Sequence, residues 1–310
     1  MKTAFLFSGQ GAQYTGMGQE LYQTEPIMKA TFDEASEVLG YSVADLCFEE
    51  SETERLNQTA FTQPAILTVS IGLYRVLTAK GFHPDAVAGL SLGEYSALVA
   101  SGALDFADAV ALVAKRGAYM AQAAPAGSGK MVAVMNAEAA LIESCCKEAS
   151  RLGIVTPANY NTPQQIVIGG EAAAVDEAVA LLQAAGVKRM IPLNVSGPFH
   201  TALLAPAAEQ LGKTLQSVPF HQMQVPVVSN TTAQVMEAEE VKGLLERQVM
   251  SPVRFYDSIH TLKDLGITRA VEIGPGKTLS GFMKKIDKTI AMTRVEDAAT
   301  LAATIQALQG

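Results

Sequence analysis

A serine framed by glycines, Gly89-Leu90-Ser91-Leu92-Gly93, is the feature of this 310-residue chain best equipped to do chemistry. G-x-S-x-G between an apolar strand and an amphipathic helix is the sequence form of a nucleophile elbow, a tight turn that lifts a serine hydroxyl out of a sheet. Ala86, Val87 and Ala88 read as the end of a buried parallel strand, and residues 94–100 carry apolar side chains at helical spacing. The glycines are needed because Cβ atoms on either side of the strained central residue would have no room. Such a serine requires a base, and histidine is the usual one near neutral pH. Of the four histidines, His83 precedes Pro84 in a turn, and His221 and His260 sit in polar surroundings near element ends. His200, after Gly197-Pro198-Phe199 in a loop returning to the sheet, is the candidate base.

The elements that must position these groups alternate between strand and helix. Residues 3–7 form an apolar strand, followed by the glycine turn Ser8-Gly9-Gln10-Gly11 and a helix near 18–24. Helices are predicted over 26–39 and 63–79, the second closed by Lys80-Gly81, and another runs from Asp105 to about residue 123, ended by Pro125 and Gly127-Ser128-Gly129. Beyond that linker the pattern is strand 131–135, helix 137–152, strands 154–158 and 165–169, helix 172–185 and strand 187–193. This β-α-β-β-α-β order is that of a ferredoxin-like subdomain, a compact unit that can be inserted into a larger fold. After Ser196-Gly197-Pro198 the chain returns to the first part, with a helix over 203–216, strands at 225–229, 270–273 and 289–292, and a closing helix from Ala298. The alternation predicts an α/β protein whose mostly parallel sheet is covered on both faces. The expected division is 1–128 with 197–310 as one domain and 129–196 as the inserted subdomain.

Composition sets bounds on function. With 49% hydrophobic residues the chain can bury a substantial core. A net charge of -8 argues against a nucleic-acid partner, which needs a concentrated basic face. No apolar run of about 18 residues suggests a membrane span, and no leader is read at the start, so the expected location is the cytoplasm. Cys47, Cys145 and Cys146 are odd in number and form no C-x-x-C pair, so they are read as core residues rather than disulfides. The spacing of His and Cys offers no metal set. Gly274-Pro275-Gly276-Lys277-Thr278 resembles the end of a P-loop, but Val271 stands where its first glycine belongs. Asn57 and Asn230 lie in N-x-T sequons, read as incidental.

Four motifs, FSGQGAQ at residues 7–13, GLSLGE at 89–94, Lys115-Arg116-Gly117 on a helix and GPFH at 197–200, occur together. In this order and spacing the chain resembles the malonyl-CoA:acyl carrier protein transacylases of bacterial type II fatty acid synthesis over nearly its whole length. One departure is Leu90, where many members carry histidine before the serine. The resemblance implies an α/β-hydrolase-like core with a ferredoxin-like insertion. It implies Ser91 as nucleophile and His200 as general base, the imidazole held by the backbone carbonyl of Gln248, a residue that sequence alone does not single out. The oxyanion hole needs two backbone N–H groups; Leu92, after the nucleophile, supplies one, and Gln10 in the glycine loop the other.

A malonyl carboxylate entering an apolar pocket must be paired, and the planar guanidinium of Arg116, in a helix rich in Ala, Val and Leu, is the implied clamp. Met120 and Gln63 are expected to line the same pocket. Phe199 beside the base leaves little space for an α-branch, so malonyl is expected over methylmalonyl. The implied reaction is ping-pong acyl transfer from malonyl-CoA to acyl carrier protein, with no metal or other cofactor, by a monomer with no nucleic-acid or membrane partner. Lys188 with Arg189, and Lys284 with Lys285, are either a docking patch for an acidic carrier or plain solvated surface. Rival readings are a hydrolase on the same core and a non-catalytic carrier-docking subunit; acyltransferase domains of polyketide synthases share the motifs.

Overall fold

The computed structural model of the chain describes residues 1–125, 127–193 and 197–310. Ser196, expected in the turn before Pro198 and at the end of the 129–196 insertion, lies outside the described residues. Among the described residues eight strands are formed: β1 (Lys2–Phe7), β2 (Ala86–Gly89), β3 (Lys130–Met135), β4 (Val155–Thr162), β5 (Gln165–Gly170), β6 (Arg189–Pro192), β7 (Ile267–Ile273) and β8 (Ala291–Val295). They build two sheets. One is wholly parallel in the order β2-β1-β7-β8, and the other is antiparallel in the order β4-β5-β3-β6.

The parallel sheet explains the unbroken apolar run of β1, which is buried from Thr3 to Phe7. Alternate residues of such a strand face opposite sides, so both faces need cover. Phe5, Phe7, Val87 and Val271 join the larger core with Ile66, Val69 and Leu73 of the Thr59–Ala79 helix. Ala4, Leu6, Ala88 and Ala270 turn the other way, against Phe255, Ile259 and Leu262 of the Phe255–Asp264 helix and Leu279 and Met283 of the Thr278–Ile286 helix. The antiparallel sheet has its own core, in which Val134 and Ile168 meet Ile142 and Cys146 of the Ala139–Ala149 helix and Val175 and Leu182 of the Ala172–Ala184 helix.

Several expected elements are shifted, each for a local reason. Residues 225–229 do not form a strand but only the isolated bridges Val87–Val227 and Val228–Val235, because Pro226 has no N–H to continue a ladder. The strand expected over 289–292 is displaced to Ala291–Val295, since the Thr289 N–H and hydroxyl are both taken by the Asp287 carboxylate in a turn. The helix expected from residue 63 begins at Thr59, anchored by the Thr62 hydroxyl donating to the carbonyls of Leu56 and Gln58, and it carries Pro64 internally. The helix expected over 137–152 is confined to Ala139–Ala149 with a 3₁₀ turn after it. Helices Val43–Phe48, Val241–Gln248, Phe255–Asp264 and Thr278–Ile286 were not expected. The Thr59–Ala79 helix is also long and apolar enough by composition to cross a membrane, against the expectation of no such run; 78% of its apolar window is buried inside this fold.

At the C-terminal end of β2 the chain turns straight into the Gly93–Ala100 helix. The Leu90 N–H donates to the Phe7 carbonyl at 3.1 Å, tying the turn to the end of β1. A Cβ on Gly89 would stand 2.0 Å from the Gly93 carbonyl carbon, and one on Gly93 would stand 2.1 Å from the Phe7 oxygen. Both contacts are with backbone, which cannot swing aside. Gly93→Ala should therefore lower stability by about 1–3 kcal/mol through overpacking. Urea denaturation of the purified variant checks this, and an unchanged midpoint would contradict the steric account.

Candidate active site

Ser91 is held in a left-handed conformation, φ 52°, between β2 and the Gly93–Ala100 helix. For a residue with a Cβ this costs of order 1–3 kcal/mol, so the surroundings must enforce it. The half-buried hydroxyl meets two partners, His200 Nε2 at 2.8 Å and Arg116 Nη2 at 3.2 Å. A guanidinium only donates, so Ser91 Oγ accepts from Arg116 and its own proton points to His200. His200 Nδ1 lies 2.8 Å from the carbonyl oxygen of Gln248, which only accepts. The imidazole is thereby fixed as the neutral Nδ1–H tautomer, with Nε2 free to take the serine proton.

Gln248 is the last residue of the Val241–Gln248 helix. Helix C-terminal carbonyls lack intrahelical donors and carry the negative end of the helix dipole, so one of them can orient an imidazole where a carboxylate would otherwise be needed. Burial and then the nearby charge of Arg116 push the His200 pKa down to about 4. The side chain of Gln248 works as well: its Oε1 accepts from Arg116 Nη2 at 2.8 Å and its Nε2 donates to the Ser91 carbonyl at 2.9 Å.

Arg116 extends from the Phe106–Ala123 helix and is only 1% exposed. Its Nη1 donates to Gln63 Oε1 at 2.8 Å, and the guanidinium carbon lies 5.2 Å from the centre of the Tyr95 ring. Gln63 in turn donates to Gln10 Oε1 at 3.3 Å and approaches the Met120 sulfur at 3.4 Å. Among the described residues no carboxylate comes within 4.0 Å of the guanidinium. A buried cation solvated mainly by amides and a hydroxyl is a site prepared for an anion.

The structure brings Ser91, His200, Gln248, Arg116, Gln63, Met120 and Gln10 into one hydrogen-bonded cluster. Gly9 lets the loop bearing Gln10 lie against the elbow, since a Cβ there would meet the Leu90 carbonyl oxygen at 2.3 Å. Among the described residues no hydrogen bond engages the backbone N–H of Gln10 or Leu92. Phe199 is buried next to His200 in the chain. Lys188 and Arg189 line a cleft of about 430 Å³ with Met135 and Leu141 at the antiparallel sheet, while Lys284 and Lys285 occupy the last turn of the Thr278–Ile286 helix. Residues 274–278 hold no phosphate cradle: the backbone N–H groups of Leu279 and Ser280 are taken by the buried carboxylate of Glu272.

Three residues of this site escaped the sequence reading. Glu94 and Tyr95, behind the elbow, are wholly buried; burial pushes the Glu94 pKa up to about 7 and that of Tyr95 up to about 12. Asn230, read as an incidental sequon, bonds to the elbow itself, accepting from the Ser91 N–H at 2.6 Å. Its only sequence signal was its place after an apolar segment that ends beside the elbow strand.

A strained serine, a neutral histidine held by a carbonyl, and a buried arginine beside the hydroxyl define a nucleophilic acyl-transfer site for an anionic acyl group. Residues 4–306 match the acyl transferase domain family. A malonyl CoA-acyl carrier protein transacylase of Bacillus subtilis is 46% identical over 310 residues, covering 99% of this chain and 98% of that protein. The crystal structure of MCAT from Streptococcus pneumoniae superposes with a TM-score of 0.97 at 61% identity, covering 99% of this chain and 100% of that one. A malonyl-transacylase solved in complex with its type II PKS acyl-carrier protein gives 0.95 at 40% identity, over 99% of this chain and 100% of that one. The chain belongs to the acyl transferase domain family and, within it, to the malonyl CoA-acyl carrier protein transacylases.

The low His200 pKa has a consequence for rate. With His200 as the candidate base, lost on protonation, acylation of Ser91 by a thioester should hold steady as pH falls from neutrality and drop only as pH approaches about 4. A pH profile of kcat/KM checks this; an acid limb centred near 6.5, the value of a free histidine, would contradict the assigned environment.

Proposed function

We propose that this chain transfers a malonyl group from malonyl-CoA to the phosphopantetheine thiol of acyl carrier protein through a malonyl-serine ester. The observation that carries the reading is the 3.2 Å contact between Arg116 and Ser91 Oγ. In a malonyl thioester a single methylene separates the reacting carbonyl from the carboxylate. A cation beside the nucleophile therefore binds the carboxylate while the carbonyl carbon meets the hydroxyl. To do so the malonyl carboxylate replaces the Gln248 amide oxygen and the Ser91 hydroxyl as acceptor of the Arg116 N–H groups, a stronger, charge-assisted pairing.

His200 Nε2 takes the Ser91 proton as Oγ attacks the thioester carbon. The resulting oxyanion is met by the backbone N–H groups of Leu92 and Gln10. Collapse of the tetrahedral intermediate breaks the C–S bond, and CoA leaves as the thiol with the proton from His200. The carrier thiol then enters, gives its proton to the imidazole, attacks the ester carbonyl, and leaves as malonyl thioester while His200 returns the proton to Ser91 Oγ. Arg116, Gln63 and Met120 form the acyl pocket, and Phe199 at the base favours malonyl over its α-branched homologue.

The same reading assigns the parallel sheet and its helices to an α/β-hydrolase-like core made of residues 1–128 and 197–310. Residues 129–196 form a ferredoxin-like insertion; the central placing of β3 and β5 in an all-antiparallel sheet supports this. Lys188 with Arg189 and Lys284 with Lys285 would face an acidic carrier. A cytoplasmic setting goes with this reading.

Intact-mass analysis after mixing with malonyl-CoA, followed by holo acyl carrier protein, tests the function. Wild-type protein should gain one malonyl group and hand it to the carrier. Arg116→Ala should lose about 100-fold or more in malonyl transfer, because a buried charge pair is removed, with a much smaller loss for acetyl-CoA. CoA release without an acylated carrier would instead show a hydrolase, and no adduct at all would show a docking subunit.

A further inference from the structure

Asn230 is 0% exposed and every polar group it has is used. Its Oδ1 accepts from the Ser91 N–H at 2.6 Å, and its Nδ2 donates to the Gly89 carbonyl, also at 2.6 Å. Its own N–H donates to Glu94 Oε2 at 2.6 Å, and its carbonyl accepts from the Arg254 N–H at 2.9 Å. The first three bonds clasp the residue two before the nucleophile, the nucleophile itself and the residue three beyond it. We infer that Asn230 is a positioning residue of the acyl-transfer reaction: its amide forces Ser91 into its left-handed conformation and so aims Oγ at His200. This rests on the transacylase reading above.

The argument is one of donors and acceptors. Ser91 at φ 52° relaxes unless something holds it, and a side chain that both accepts from position 91 and donates to position 89 locks the turn from both sides. An amide does this without adding charge, its Oδ1 accepting and its Nδ2 donating. Glu94 fixes the clasp from behind, since a carboxyl oxygen accepts the Asn230 N–H whether the group is ionised or not. Its other oxygen accepts no hydrogen bond among the described residues. Among the described residues the ionisable groups bordering this clasp are Glu94 and Tyr95 from the Gly93–Ala100 helix, Arg116 from the Phe106–Ala123 helix, His200, and Arg254, whose N–H meets the Asn230 carbonyl while its side chain pairs with Asp257.

Asn230→Asp separates positioning from bulk stability. The shape is kept, but the introduced side chain, when ionised, would set a carboxylate oxygen against the Gly89 carbonyl where a donor now stands. Protonation restores an O–H donor, and burial beside Glu94 raises the pKa of the introduced acid. His200 stays neutral across that range because its pKa is about 4. The readout is the rate of malonyl-enzyme formation by rapid quench and mass analysis, relative to wild type from about pH 8 to about pH 5.5.

Expected is a loss of roughly 100-fold at the alkaline end, with KM for malonyl-CoA within about twofold, and recovery of about tenfold or more relative to wild type as pH falls. Asn230→Ala should show the same loss without recovery. A rate near wild type in either variant, or a loss in Asn230→Asp that does not recover with acid, overturns the inference. Failure of both variants to fold also overturns it, in favour of a purely structural residue. Wild type run alongside keeps the questions apart: no malonyl-enzyme in wild type defeats the functional reading rather than the role of Asn230.

Discussion

The structure is organised around a positive charge that has been taken out of water. Arg116 lies inside the fold with its guanidinium donating to Gln63, Gln248 and Ser91, and with the face of Tyr95 alongside. Amides and a hydroxyl solvate a cation less well than a carboxylate does, so the charge is held at a cost and the site has an unmet preference for an anion. That constraint draws three helices together at one point: Thr59–Ala79 supplies Gln63, Phe106–Ala123 supplies Arg116, and Val241–Gln248 supplies Gln248. Under the proposed function, a substrate carboxylate would complete an arrangement the fold leaves open.

Gln248 joins the charge to the chemistry. Its side chain holds Arg116 and the Ser91 carbonyl, and its main-chain carbonyl holds the His200 ring. A neutral acceptor suits an imidazole that lies near a cation. A carboxylate in its place would pair with Arg116 and satisfy its preference for an anion. The helix end supplies the needed partial negative charge without that competition. The elbow answers a related demand, since close approach of the backbone at Gly89 and Gly93 leaves Ser91 strained and exposed to both partners. Strain, charge and tautomer are thus set together by closely packed backbone and by the buried side chains of Gln63, Gln248 and Asn230.

Much of this was legible in the sequence where local pattern and chemistry coincide. The elbow was readable because two glycines, an apolar strand and a helical repeat fall in register around Ser91. Buried strands such as β1 announce themselves as apolar runs, and the β-α-β-β-α-β order of residues 130–192 followed from alternating periodicities. Other features carry no local mark. Gln248 acts through a carbonyl that every residue possesses, so only the tertiary position of its helix end distinguishes it. Asn230 sits in a segment whose strand pattern is interrupted by Pro226, and its three bonds to the elbow span well over a hundred residues of sequence. Short helices such as Val43–Phe48 and Val241–Gln248 offer too few turns for a periodic signal and are stabilised by packing instead.

The central claim is that one cation orients the acyl group that one serine carries. A crystal structure of the trapped malonyl-enzyme measures this directly. The account predicts an ester on Ser91 Oγ, its free carboxylate within hydrogen-bonding distance of the Arg116 guanidinium in place of the Gln248 amide oxygen, and the ester carbonyl facing the Gln10 and Leu92 N–H groups. An ester on another residue, or a carboxylate turned to solvent while Arg116 keeps its present partners, would contradict it.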